Sequence, residues 1–596
     1  MKHIRILIII FILLALAMMG LIGRCFYLQY YKCQEFRSQS ERAQQTIITE
    51  KPCRGLILDS RGRVLAASNR VETLYADRNI ITNFDETVTA MEPILRTSAD
   101  NIANMINESR NPGFIKLAVA IDAAQRAEFL SIKPRPKGIS ITSDFARQYP
   151  ASSLAAHVVG FTDFEGNGGS GIELEYNKYL QGKPGKHVFY LDSARRLVRI
   201  KEEQSTVENG TGLILTIDET IQEFTRNALY KQWKDYQAES AVAVVMDPYT
   251  GAVLAMVSLP DFDPARVGDA DRDAWRNRIL TDPYEPGSIF KPIVTAIAID
   301  RGVITGNTLI NCESGSYSGK GFGTIGEYNS HRYGVLSAKQ ILVVSSNIGM
   351  AKIGQKMGKK KLYDGLKMFG IGSISGIDLP GEGSGVLWPT SRWTGYSITR
   401  IPYGQEVSVT ALQIARAYCI LANGGRPVRP YIVKAIVDPN GAILEYKKPA
   451  PPAGQIIKPS VAKWMVQDAL VGVVHDEHGT GKNAKLEKWK VFGKTGTANV
   501  AMTGQKGFSE SEFVASFAGG APAEKPAVIV LVSIRKPNRK LGKGYTGGTV
   551  AAPVVGTILE KTLTYMEQKG MIAPAKSSHD SNESKQQRDG PEQTSD

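Results

Sequence analysis

The sequence predicts an α/β protein in three parts: one N-terminal membrane-spanning helix, a mixed α+β region, and a larger C-terminal region of strands and helices. Three observations carry this prediction. Residues 6–23 form an uninterrupted apolar run of 18 residues. Residues 51–235 carry short strand patterns, scattered helical patterns and turn signals such as Gly166-Asn167-Gly168-Gly169. Residues 240–566 alternate strand and helix patterns and end on a helical pattern from Val550 to Met566.

A run of 18 residues is at the short end for a spanning helix, and Cys25-Phe26-Tyr27-Leu28 extend it. Lys2 and Arg5 precede it, which predicts a cytoplasmic tip over 1–5 and an N-in orientation. The rival reading is a cleaved signal peptide, but the run is long for one and no small-x-small cleavage pattern follows. Residues 24–50 are polar with aromatics, Gln and Arg, and predict a stalk helix. Residues 572–596 are rich in Ser, Asp, Gln and Lys without periodicity and predict a disordered tail.

Lys and Arg outnumber Asp and Glu by 72 to 58, a net charge of +14. Nucleic-acid binding would need stacking aromatics or a groove helix, and the chain has no such motif. A basic exterior beside anionic lipid and polymer accounts for the charge. The five cysteines, Cys25, Cys33, Cys53, Cys312 and Cys419, show no CxxC or metal spacing, and their sparse, odd number argues against a disulfide framework. Cys419 lies in an apolar helical pattern and reads as a buried hydrophobe. His475 and His478 stand three apart in a polar string that reads as a loop rather than a metal site. No cofactor is expected.

The C-terminal region carries three short strings in order: Ser288-Ile289-Phe290-Lys291, Ser345-Ser346-Asn347 and Lys494-Thr495-Gly496-Thr497. Ser-x-x-Lys alone is uninformative, since average usage gives about two or three in such a length. It occurs at Ser288, Ser460 and Ser533. Ser460 reads as a helix N-cap, and Ser533 lies inside a strand-length apolar run with Lys536 just past its end. Ser288 differs: Glu285-Pro286-Gly287 sets a turn, and Ile289 to Ile299 reads as a buried helix with Pro292 in its first turn. Ser288 thus stands at a helix N-terminus, where negative charge is favoured, and Lys291 shares its face. Burial and a neighbouring lysine would lower the proton affinity of Lys291 enough for it to deprotonate the Ser288 hydroxyl.

Ser345-Ser346-Asn347 interrupts an apolar stretch, and buried polar side chains need partners that a catalytic network would supply. Lys494-Thr495-Gly496 is the only Lys-Thr-Gly in the chain. A glycine inside a strand permits close approach, here expected to be a substrate backbone, with Thr495 and Thr497 facing the same way. Lys494 would offer its charge to a carboxylate. The strings stand 57 and 149 residues apart, separations that fit one domain.

In this order the strings resemble the penicillin-binding proteins, the D,D-transpeptidases that cross-link peptidoglycan. The resemblance extends through Pro52-Cys53-Arg54-Gly55 to Ala66, Arg147-Gln148-Tyr149-Pro150 to Phe161, and Gly171-Ile172-Glu173 to Gly182, which are similar to the N-terminal motifs of the class B members. Ala243 to Met256 is similar to the opening of their transpeptidase domain, and Gly404-Gln405 to Gln413 and Gly547-Gly548 to Pro553 match later landmarks. The resemblance covers roughly 1–565. Ile289 stands where the family usually has Thr, and Glu406 where it usually has Gly.

The resemblance implies a dimerisation-type pedestal over 51–235 and a transpeptidase domain over 240–566, an antiparallel sheet flanked by helices as in serine β-lactamases. It implies Ser288 as nucleophile, Lys291 as base, Ser345 as proton relay and Asn347 as holder of Lys291 and the substrate amide. The Ser288 and Thr497 N–H groups would form the oxyanion hole. Lys494, Thr495, Gly496 and Thr497 would bind the terminal carboxylate, with Ser346 also on the substrate side. Stem peptides and β-lactams are the implied ligands. Nothing before residue 240 resembles a glycan polymerase, so a membrane-bound polymerase partner and other division proteins are implied. Glu285 before Pro-Gly-Ser resembles the septal branch more than the elongation branch. A β-lactamase would need a deacylating base, and no Glu-x-x-Leu-Asn string lies between Ser345 and Lys494. A non-catalytic scaffold or sensor is disfavoured by three intact strings.

Overall fold

The computed structural model describes residues 2–109, 111–191, 197–450, 452–501 and 507–574. The tail expected over 572–596 lies outside the described residues from 575 onward. The chain divides into two compact units: residues up to Cys53 with Gln181–Gly210, and Arg54–Leu180 with the chain from Thr211 onward.

In the first unit a helix runs over Lys2–Phe26 and a π turn over Tyr27–Tyr31. At 1.5 Å per residue the 25-residue helix is roughly 37 Å long, enough for a hydrocarbon core of about 30 Å. None of its side chains is buried within the chain. Past that π turn the stalk continues as a helix over Cys33–Gln44; Gln45–Glu50 is a strand, paired antiparallel with Gly185–Leu191, which in turn pairs Leu197–Ser205. Gln45-Thr46-Ile47-Ile48-Thr49-Glu50 carries β-branched residues that fit a pleated ladder better than a helix.

The second unit is built on a five-stranded antiparallel sheet. Its strands are β1 (Ser240–Met246), β2 (Val253–Leu259), β3 (Phe492–Ala501), β4 (Phe508–Ala521) and β5 (Val528–Arg535), in the order β2-β1-β5-β4-β3. All seven residues of β1 are buried, because both sheet faces are covered. Ala241, Ala243 and Val245 face one core with helices α1 (Glu219–Asp235) and α6 (Ala552–Gln568). Val242, Val244 and Met246 face the other, with helices α2 (Lys291–Asp300), α3 (Ala338–Val343), α4 (Asn347–Met357) and α5 (Ala411–Ala422). Strands and helices do not alternate one for one: residues 260–491, between β2 and β3, are mostly helices and short hairpins. Cys419 is fully buried in α5.

A second sheet in the same unit runs in the order Ile443–Tyr446, Val433–Val437, Gly212–Leu215, Ile57–Leu58, Val64–Ala76, Ile115–Ala118, with Ile139–Gln148 also paired to Val64–Ala76. Three arms of the N-terminal motifs meet beside it: Arg54 and Arg147 both reach the fully buried Glu173.

Ser533 lies in β5 as expected. Ser460 is not an N-cap: Lys458 takes that position and Pro459 the first turn, where its missing N–H is harmless.

Candidate active site

The turn carrying Ser288 is fixed on both sides. Tyr284 exchanges backbone hydrogen bonds with Val409, both 2.9 Å, and Gly287 N–H donates to Gly404 O at 3.0 Å. Gly287 has φ +56° and Gly404 φ +83°, and a Cβ on Gly404 would lie 2.2 Å from Gly287 O. A single 3₁₀ turn, Gly287–Phe290, then feeds α2. Ser288 is half-buried, and among the described residues its hydroxyl has no hydrogen-bond partner.

One turn on, Lys291 is fully buried. Its Nζ donates to Ser345 O at 2.6 Å, to Ser345 Oγ at 3.2 Å and to Asn347 Oδ1 at 2.8 Å. Burial pulls the ammonium down to about 7, against an opposing pull from Glu327. Ser345 O and Asn347 Oδ1 can only accept, so they occupy both N–H groups of a neutral amine. Its lone pair is then left for a hydroxyl.

Ser345 joins α3 to α4 at φ +63°, a left-handed conformation that costs a non-glycine residue about 1–2 kcal/mol. That strain aims its carbonyl at Lys291. Ser346, expected on the substrate side, is placed elsewhere. It is fully buried, caps α4 by accepting from Gly349 N–H at 3.0 Å, and donates to Glu327 Oε1 at 2.5 Å. Sequence reasoning missed Glu327. Helix α4 has no acidic residue in its first turn, which signals that its N–H groups need an outside acceptor, but nothing local points to residue 327.

The third string lies on β3, the outer strand of the sheet beside the Ser288 turn. Lys494 is fully buried, and its Nζ donates weakly to Thr495 O and Oγ1, both 3.3 Å. Burial, reinforced by Lys291, holds it well below the usual lysine range. Thr495 Oγ1 pairs with Thr480 Oγ1 at 2.8 Å, and Thr497 Oγ1 accepts from Gly547 N–H at 3.1 Å. Thr480 belongs to the string after His475 that the sequence predicts as loop; it is a loop, but its threonine braces the site strand. Gly496 makes room for protein rather than substrate: a Cβ there would lie 3.0 Å from Ile289 Cγ2 and 3.1 Å from Pro286 O. Gly287 likewise sits against Thr497 O and Ala498 Cβ, each 3.3 Å from its own virtual Cβ. The glycines thus dock the Ser288 turn onto β3. A cavity of ≈ 1480 Å³ lined by His475, Trp489 and Met566 among others touches none of these residues.

The Penicillin binding protein transpeptidase domain matches residues 241–560, and the Penicillin-binding Protein dimerisation domain matches residues 49–215. This chain is a class B penicillin-binding protein. It is similar to Stage V sporulation protein D of Bacillus subtilis, 30% identical over 547 residues that cover 90% of this chain and 82% of the relative. It is similar to peptidoglycan D,D-transpeptidase FtsI of Escherichia coli, 30% identical over 562 residues, 93% of this chain and 90% of the relative. Among solved structures it is similar to penicillin binding protein 3 from Mycobacterium tuberculosis complexed with aztreonam. That match has a TM-score of 0.67 at 26% identity and covers 89% of this chain and 98% of that one.

Where this penicillin-binding protein departs from its family, the structure shows a local effect. Glu406 occupies the position where the family usually has glycine, at φ +56°, and its N–H donates to Glu285 Oε1 at 3.0 Å. Both carboxylates line a cleft of ≈ 580 Å³ with Trp388, Trp393 and Tyr396. Burial, with Glu406 adding repulsion, pushes the Glu285 carboxyl up to about 7.

Proposed function

We propose that this peptidoglycan D,D-transpeptidase works through an acyl-enzyme on Ser288. The observation that carries the reading is the environment of Lys291: buried, near neutral, one helical turn from Ser288, and held by Ser345 and Asn347. Lys291 takes the hydroxyl proton as Ser288 Oγ attacks the carbonyl of the penultimate D-Ala. The Ser288 and Thr497 N–H groups receive the developing oxyanion, a contribution typically of about 3–4 kcal/mol. Ser345 passes a proton to the departing terminal D-Ala nitrogen. The amine of a second stem peptide then attacks the ester, its proton returns through the same groups, and Ser288 is released with a new peptide bond.

Lys494, Thr495 and Thr497 bind the donor carboxylate. That anion restores the proton affinity of Lys494 that burial removes. A β-lactam enters the same route with its ring amide in place of the scissile bond, and its tethered leaving group keeps the ester from resolving.

The Lys2–Phe26 helix is long and apolar enough to cross a membrane. Lys2 and Arg5 orient it N-in, which puts the transpeptidase region outside the cytoplasm beside its polymer. The chain then works with a separate glycan polymerase, and Glu285 before Pro286-Gly287-Ser288 favours the division septum.

The test is fluorescent penicillin on the full chain in detergent. A stable adduct on the wild type, absent in Ser288→Ala, supports the mechanism; rapid drug turnover, or an adduct that survives the substitution, overturns it. A midcell band from a fluorescent fusion supports the septal role, and a lateral-wall pattern rejects it.

A further inference from the structure

Glu327 follows the short strand Gly323–Gly326 and is nearly fully buried. Its carboxylate takes three donors from the start of α4: Ser346 Oγ at 2.5 Å, Asn347 N–H at 2.6 Å and Ile348 N–H at 3.3 Å. The carbonyl just before it, Gly326 O, accepts from Asn347 Nδ2 at 3.2 Å. With Nδ2 engaged there, Asn347 must turn Oδ1 toward Lys291, so the amide orientation at the site is set from behind.

The same carboxylate answers a charge imbalance. Lys291 and Lys494 are both fully buried and neighbour each other. Lys494 faces Lys291 from β3, and the neutral Tyr418 hydroxyl caps Ile289 O from α5 at 2.9 Å. Ser345 and Asn347 are uncharged. Cys312, behind Ser346, is held as a thiol by burial. Glu327 is the carboxylate whose field reaches Lys291.

We propose that Glu327 is a positioning residue for acylation: it fixes the Ser345–Asn347 turn from behind and supplies the counter-charge to the buried Lys291. The inference rests on the Ser288 mechanism above and deepens it. Removing the charge leaves Lys291 easier to deprotonate, so the free amine persists to lower pH.

The experiment measures the rate of Ser288 acylation by labelled penicillin between pH 5 and 9, on the full chain in detergent, with melting temperature followed in parallel. In Glu327→Gln the acid limb of the profile should move down by about one pH unit while the plateau rate falls about tenfold. Glu327→Asp, which keeps the charge on a shorter arm, should keep the wild-type limb with a reduced plateau. An unmoved limb in Glu327→Gln, or an equal limb shift in both variants, overturns the proposal. If Glu327→Gln does not fold, the Asp variant decides alone: a limb at the wild-type pH supports the proposal, and a shifted one sinks it. Loss of the wild-type adduct in Ser288→Ala tests the underlying mechanism separately.

Discussion

Arg54 Nε donates to Glu173 Oε2 at 2.6 Å, while Arg147 takes the other oxygen of the same carboxylate, also at 2.6 Å. The three residues come from three separate stretches of the N-terminal motifs and meet at one buried point. Truncating the carboxylate leaves two buried guanidinium groups without their anion, which costs about 3–5 kcal/mol. Glu173→Ala should therefore lower the denaturation midpoint markedly. Penicillin acylation of the fraction still folded should stay near the wild-type rate, because Glu173 takes no part in the chemistry.

The Glu285 carboxyl is raised from 4.5 to about 7 by burial, which outweighs the hydrogen bond from Glu406 N–H, with the Glu406 charge adding a smaller upward push. The folded state binds this proton more tightly than the unfolded state. Its stabilisation is thus fully present below 4.5 and lost as pH rises through about 7. Compared with Glu285→Gln, the wild type should lose stability between pH 5 and 8. Urea midpoints of both chains at the two pH values check this, and a constant difference would refute it.

Glu406 holds a left-handed backbone that suits glycine. Glu406→Gly should stabilise the fold by about 0.5–1 kcal/mol, the strain relieved less the extra freedom glycine has when unfolded. It should also lower the Glu285 titration midpoint, readable by NMR of labelled glutamate carboxyls.

Gly496→Ala would place a methyl 3.0 Å from Ile289 Cγ2 and 3.1 Å from Pro286 O. Both atoms belong to the turn that presents Ser288, so the substitution should push Ser288 away from β3. Acylation should fall at least tenfold with only a small change in melting temperature, since a displacement of under 1 Å suffices to spoil attack geometry. Acylation within twofold of wild type would show that the turn can give.

The sequence revealed those parts of the site whose chemistry is written locally. Ser288, Lys291, Ser345, Asn347 and Lys494 converge because each sits at a readable event: a Pro-Gly turn, a polar break in an apolar run, a glycine in a strand. What stayed hidden depends on distant partners. Glu327 answers the orphan N–H groups of a helix 20 residues on, and Thr480 braces Thr495 from across a loop. Ser346 was misread because adjacency in a motif does not say which way a side chain points; α4 needed its hydroxyl as a cap. The Gln45–Glu50 strand is hidden within the stalk pattern because a short β-branched run gives no periodicity to set against helix. Gly496 marks a close approach inside a strand, but the approaching group is the chain's own Ser288 turn rather than the substrate backbone the sequence predicts.

The second sheet bears on any attempt to isolate the catalytic half. Val433–Val437 pairs with Gly212–Leu215, which pairs with Ile57–Leu58 from near the start of the unit. A fragment beginning at residue 240 would strip Gly212–Leu215, and the strand beyond it, from one side of Val433–Val437 and bare a buried, hydrophobic ladder edge, the kind of surface that recruits other chains. Such a fragment should aggregate even with every site residue intact, whereas one starting near Arg54 keeps the ladder closed. The protein's N-terminal motifs are in this sense part of the solubility of its C-terminal chemistry.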